Sequence, residues 1–136
     1  MSRRKSRIIA FQAIYSWDVS GESLEDLLQF SWVDSKDNLD EGELAFSRIL
    51  IGGTIENISP IDEIIKSHLS ANWNFDRLNK VTLSILRISV YSLMYQKDIA
   101  ASIVIDEAID LAKEFGPDDS FKFINAMLDK ISKENK

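Results

Sequence analysis

The sequence contains no cysteine, only two prolines and five glycines, and a single histidine, His68. Without cysteine there is no disulfide framework, no thiolate metal site and no thiol nucleophile. His68 stands near the end of an expected helix, and the Ser, Asp and Glu spacing around it suggests neither a catalytic set nor a metal site. Neither a phosphate-cradling glycine loop nor a dinucleotide fingerprint is present, so no cofactor is expected. Long apolar runs are also missing. The longest, Val81 to Tyr95, is interrupted by Arg87 and falls short of the roughly 20 residues that span a bilayer. The N-terminus lacks the apolar run of a secretory signal. The expectations are a non-enzymatic protein, no membrane partner and a cytoplasmic location.

What is there reads as one folded domain over residues 1–136, with 45% hydrophobic and 28% charged residues, well away from disordered composition. A net charge of −6 argues at first against nucleic acid, because such binding depends on neutralising phosphates. The distribution says more than the sum. Arg3, Arg4, Lys5 and Arg7 place four cations in the first seven residues, a local basic site on an acidic body.

Apolar residues recur three and four apart almost throughout, which predicts an all-α fold of about seven helices. The expected spans are 3–18, 22–32, 41–57, 59–70, 78–96, 102–115 and a last helix from Asp118, with the polar stretch Asp34 to Asp40 as a flexible loop. Ser59 reads as an N-cap with Pro60 in the first helical position, and Gly116-Pro117 as a stop. Gly52-Gly53 interrupts the third helix, which close approach of a neighbouring helix would explain. The first and fifth helices are apolar nearly all round and are expected at the centre.

Some residues break local rules. Cations at a helix N-terminus oppose the macrodipole, and Arg3 and Arg7 are like charges four apart; stability does not call for them, whereas an anion such as RNA phosphate does. A frayed, solvated terminus is the bland alternative. In the last helix Phe121, Ile124, Leu128 and Ile131 form one stripe, and Phe123 projects to its side, toward Lys130 and near Lys122. A half-exposed ring beside cations suits stacking of an unpaired base, against the alternative of an aromatic covering the edge of the core. Asp118 and Asp119 read as cap and first-turn carboxylates, Asp106, Glu107 and Asp110 as a solvated face, and Arg87 as a buried ion pair.

Arg3-Arg4-Lys5-Ser6-Arg7 followed by Ala10 and Gln12 to Trp17, Leu86-Arg87-Ile88 with Tyr91, and above all Ile105 to Gly116 followed by Asp119-Ser120 and Lys122 to Lys130 resemble the NusB family over nearly the whole chain. Ala126 stands where the family commonly has glycine. The resemblance implies two perpendicular three-helix bundles and a transcription antitermination factor that binds boxA RNA of ribosomal RNA operon transcripts together with NusE, a small-subunit ribosomal protein, in the RNA polymerase antitermination complex. Carried onto matching positions, the RNA-binding residues would be Arg3, Arg4, Lys5, Arg7, Gln12, Asp119, Lys122, Phe123 and Asn125. The partner-binding residues would be Tyr15, Val19 and Thr82, the last a poor match to the acidic residue often found there. A homodimer of the free chain is left open. Two rivals are a helical adaptor that binds only protein, and a stand-alone relative of the NusB-like domains found ahead of rRNA methyltransferases. The latter is disfavoured because the chain ends at Lys136 without a catalytic region.

Overall fold

The computed structural model describes residues 2–34 and 38–134, so residues 35–37 of the expected loop lie outside the described residues. These residues form seven α-helices and no strand: α1 (Arg3–Ser20), α2 (Leu24–Leu27), α3 (Glu41–Glu56), α4 (Ile58–Ser67), α5 (Lys80–Tyr95), α6 (Ala101–Phe115) and α7 (Ser120–Glu134), with a short 3-10 turn at Phe75–Arg77. None of the described helices is long and apolar enough to cross a membrane.

Helix α5 organises the molecule. Every residue from Thr82 to Val90 is buried, as expected for a helix apolar on all sides. Ser84 and Ser89 lie within it at no polar cost, because each hydroxyl donates to the carbonyl four residues back, Lys80 at 2.8 Å and Ile85 at 2.7 Å. α1 and α3 pack on each other and on α5, as do α6 and α7, and α4 also lies against α5, so α5 belongs to both three-helix groupings.

The helix boundaries follow local chemistry. Asp40 and Glu43 form a reciprocal capping box at the start of α3. α1 ends at Gly21 with φ of 72°, a left-handed conformation that favours glycine. The expected second helix shrinks to the four residues of α2, which ends at Leu27 with Leu28 as its cap; Phe30, two residues further on, takes a positive φ of 57°. α4 starts at Ile58 with Asn57 as its cap residue, not at Ser59. Pro60 fits its first turn because backbone N–H groups there have no intrahelical acceptor to lose.

The glycine pair divides. A Cβ on Gly53 would lie 2.2 Å from the Tyr91 ring, whereas one on Gly52 meets nothing within 4 Å. Close approach of α5 therefore explains Gly53 alone. At the other end of the chain, α7 begins at Ser120 and has no acidic residue in its first turn. Asp118 and Asp119 precede the helix, and Asp119 holds a left-handed φ of 64°.

Arg87 forms the expected ion pair. Its guanidinium donates twice to Asp62 on α4, at 2.9 Å each, lies 3.2 Å from Asp18 on α1, and has the Trp17 and Phe75 rings at 5.9 and 5.8 Å. One buried cation thus ties three helices and the 3-10 turn together.

Candidate nucleic-acid interface

The basic start of α1 is anchored, not frayed. Ser2 caps the helix, and its own backbone N–H donates to the Glu43 carboxylate of α3 at 2.7 Å. Ser6 donates to the Glu43 carbonyl at 3.0 Å. The backbone N–H groups of Asp40 and then Ser2 hold the Glu43 carboxyl below the ordinary carboxylate range, against the opposing effect of burial. A depressed carboxyl contributes stability above its unfolded pKa and loses it as pH falls through the folded one. The anchor is therefore complete at neutral pH.

From this anchor the four cations diverge in role. Arg3, Arg4 and Lys5 are exposed. Arg7 is only 1% exposed, which corrects its expected place among the phosphate ligands, since a buried guanidinium has no route to a strand at the surface. It forms an ion pair with Glu107 of α6, donates to Ser92 of α5 at 3.1 Å and faces the Phe46 ring of α3 at 5.7 Å. Burial lowers the Arg7 pKa and the Glu107 charge partly restores it, but guanidinium remains charged in proteins.

Helix α6 answers the other arginines too. Arg3 Nε is 2.9 Å from Glu107, and Arg4 pairs with Glu114 and lies 3.6 Å from Asp110. Glu107, Asp110 and Glu114 recur at i, i+3 and i+7, so they stand on one side of α6. The face expected to be merely solvated is thus partnered at Glu107 and Asp110. Arg3 and Arg7, like charges four apart, are tolerated because they share the Glu107 carboxylate. Their cost was legible in the sequence, but the residue that offsets it lies a hundred positions away and left no local signal.

Beside these pairs, Lys5 and Gln12 of α1, Asn38 and Leu39 before α3, and Glu114 and Phe115 of α6 line a cleft of about 540 Å³. Phe115 packs on Phe11 with ring centroids 5.0 Å apart, fixing the α6 terminus against α1. At the start of α7, Lys122 is exposed and lies 3.6 Å from Asp119, and Asn125 is exposed. The Lys113 and Lys122 ammonium groups stand over Phe121, at 5.0 and 6.0 Å.

Phe123 is partly buried and turns elsewhere. Its ring meets Trp73, on the α4–α5 connection, with centroids 5.2 Å apart, and it shares a groove of about 140 Å³ with His68, Met127 and Lys130. That groove has no lining residue in common with the cleft at Lys5 and Gln12. The expected RNA-binding residues thus divide between two sites, one lined from α1 and α6 and the other from α7 and the α4–α5 connection. On α1, Tyr15 and Val19 are 36% and 49% exposed and one turn apart. Thr82 is buried and capped by Asn79, so its side chain is not on offer to a partner. Trp73 was missed; a lone tryptophan between two asparagines is the only signal the sequence gives of it.

The profile of the NusB family matches residues 4–133. The chain belongs to the NusB family. Among curated relatives it is 53% identical to the transcription antitermination protein NusB of Treponema denticola, over 99% of this chain and 98% of that one. It is 47% identical to the NusB of Treponema pallidum strain Nichols, over 98% and 94%. Of solved NusB structures, T. maritima NusB superposes with a TM-score of 0.89 at 36% identity, covering 99% of this chain and 93% of that one. A NusB chain from a structure of antitermination factors NusB and NusE in complex with dsRNA gives 0.85 at 31% identity, covering 97% and 96%.

Proposed function

We propose that this chain is a transcription antitermination factor that binds the boxA-type single strand of ribosomal RNA operon transcripts together with NusE, as part of the RNA polymerase antitermination complex in the cytoplasm. The observation that carries the reading is the likeness, over nearly the whole chain, to NusB in an assembly with NusE and RNA, combined with an anchored, exposed cationic helix start that local stability does not require. In this reading Arg3, Arg4 and Lys5 hold phosphates, Gln12 and Asn125 address base edges, and Phe123 stacks a base, with Lys122 and Asp119 at its flank. Arg7 holds the helix in place. Tyr15 and Val19 supply the exposed apolar contact for NusE.

A titration of ribosomal leader RNA against the chain, with and without NusE, tests this. The Phe123→Ala variant is expected to bind such RNA roughly 5- to 100-fold more weakly, as loss of one stacked base implies, with unchanged helical circular dichroism. Equal affinity of variant and parent removes the stacking role. The ion pairs of Arg3 and Arg4 with α6 oppose phosphate binding by the chain alone, which makes the comparison with NusE informative. NusE binding with no RNA binding in either state leaves a protein-only adaptor.

A further inference from the structure

Trp73 is the most exposed large hydrophobic residue among the described residues, at 55%. It does not sit on a frayed segment. Its backbone N–H donates to the Ser70 carbonyl at 3.0 Å, and the next residue, Asn74, caps the 3-10 turn by accepting from the Asp76 N–H at 2.9 Å. One side of the indole packs against Phe123. With the two centroids 5.2 Å apart and tilted by 35°, the rings are in contact, so no base fits between them without forcing them open.

Trp73 also walls a cleft of about 460 Å³ with Lys66, Asn72, Asn74 and Phe75, which meets the Phe123 groove at Ser70 and Trp73 and is within the size range of small-ligand sites. The lining combines an aromatic wall, carboxamides able to meet a base edge, and an ammonium group. The Lys66 ammonium stands over the Phe75 ring at 4.9 Å and 3.8 Å from the exposed Glu63, which holds it at the cleft wall. On the Phe123 side stands Lys130, for which the described residues supply no ion pair. Each of the two adjoining recesses at the Trp73–Phe123 pair is thus lined by a lysine, which complements a strand of unpaired bases joined by phosphates better than it does an apolar peptide.

We propose that Trp73 is a second stacking platform: an unpaired nucleobase next to the one on Phe123 stacks against the indole in the Lys66–Asn72–Asn74 cleft, and Lys66 takes its phosphate. This extends the RNA path across the α4–α5 connection and rests on the RNA-binding reading above.

The test uses the full chain with NusE and a short single-stranded leader RNA, in which each position in turn is made abasic. Trp73→Ala is expected to weaken binding roughly 5- to 100-fold, and Trp73→Phe to retain most of the affinity. The abasic position that abolishes the Trp73→Ala effect should adjoin the one that abolishes the Phe123→Ala effect. If both variants respond to the same abasic position, Trp73 only props Phe123 and the inference is overturned. It is also overturned if Trp73→Ala binds RNA normally, whether or not NusE binding suffers, while Phe123→Ala and Arg4→Ala bind weakly; the RNA-binding reading then stands. Normal RNA binding by all three variants removes that reading itself.

Discussion

The Glu107→Ala variant is expected to unfold roughly 10–20 °C below the parent, on the scale by which a kilocalorie shifts a domain of this size. The Arg7 guanidinium is 1% exposed, and its charge is balanced by Glu107 on α6, with Ser92 and Phe46 as its other contacts. Taking away one partner strands the other charge in the interior, which typically costs about 3–5 kcal/mol. Arg7 Nη1 has no acceptor among the described residues, so the pair is itself expensive. Replacing both partners by apolar residues of similar size, Arg7→Met with Glu107→Leu, should therefore recover most of the loss. Calorimetry of the single and double variants checks this; additive losses, or single variants within a degree or two of the parent, would show that the pair is not an interior one. The same geometry makes deletion of residues 1–7 a poor probe of RNA contacts, because it also removes the buried Ser6 and Arg7.

Replacing the exposed cations Arg3, Arg4 and Lys5 by alanine is expected to leave the fold intact and to lower the slope of log K against log salt, for single-stranded RNA, by about 2, at roughly 0.7 per phosphate contact. The converse change acts on α6. Arg4 is drawn to Asp110 and Glu114, so Asp110→Asn with Glu114→Gln should release it and tighten RNA binding by roughly 2- to 5-fold, the scale of exposed ion pairs. Binding isotherms at several salt concentrations measure both effects. A slope unchanged in the triple variant would remove these side chains from the phosphate contacts.

How much of this was readable in advance depended on how far each interaction reaches along the chain. Helical periodicity over three and four residues announced all seven helices, and the all-round apolar pattern of α5 announced its central place. Arg87 was legible as an ion pair because a lone charge in an apolar run has few other outcomes, although Asp62 and Asp18 could not be named. Errors gathered where local rules compete. Pro60 is compatible with several positions of a first turn, so α4 starts earlier than Ser59 suggests. The second helix stops at Leu27, and Phe30, left-handed with an Arg48 guanidinium 5.2 Å from its ring, keeps it from resuming toward Trp32.

The candidate site divides in the same way. The sequence alone marked the opening cations and Phe123 as misplaced for stability, since dipole and periodicity arguments need only neighbours. It also carried the family likeness, because a pattern of residues along the chain is itself a linear signal. Only the tertiary structure decided which of four adjacent cations face solvent, that Glu107 neutralises the one that does not, and that Phe123 turns to Trp73. Those outcomes depend on the rotation of α1 and α7 against α6 and on the course of the α4–α5 connection. Helix rotation in a packed core is set by side chains far apart in sequence fitting together at once.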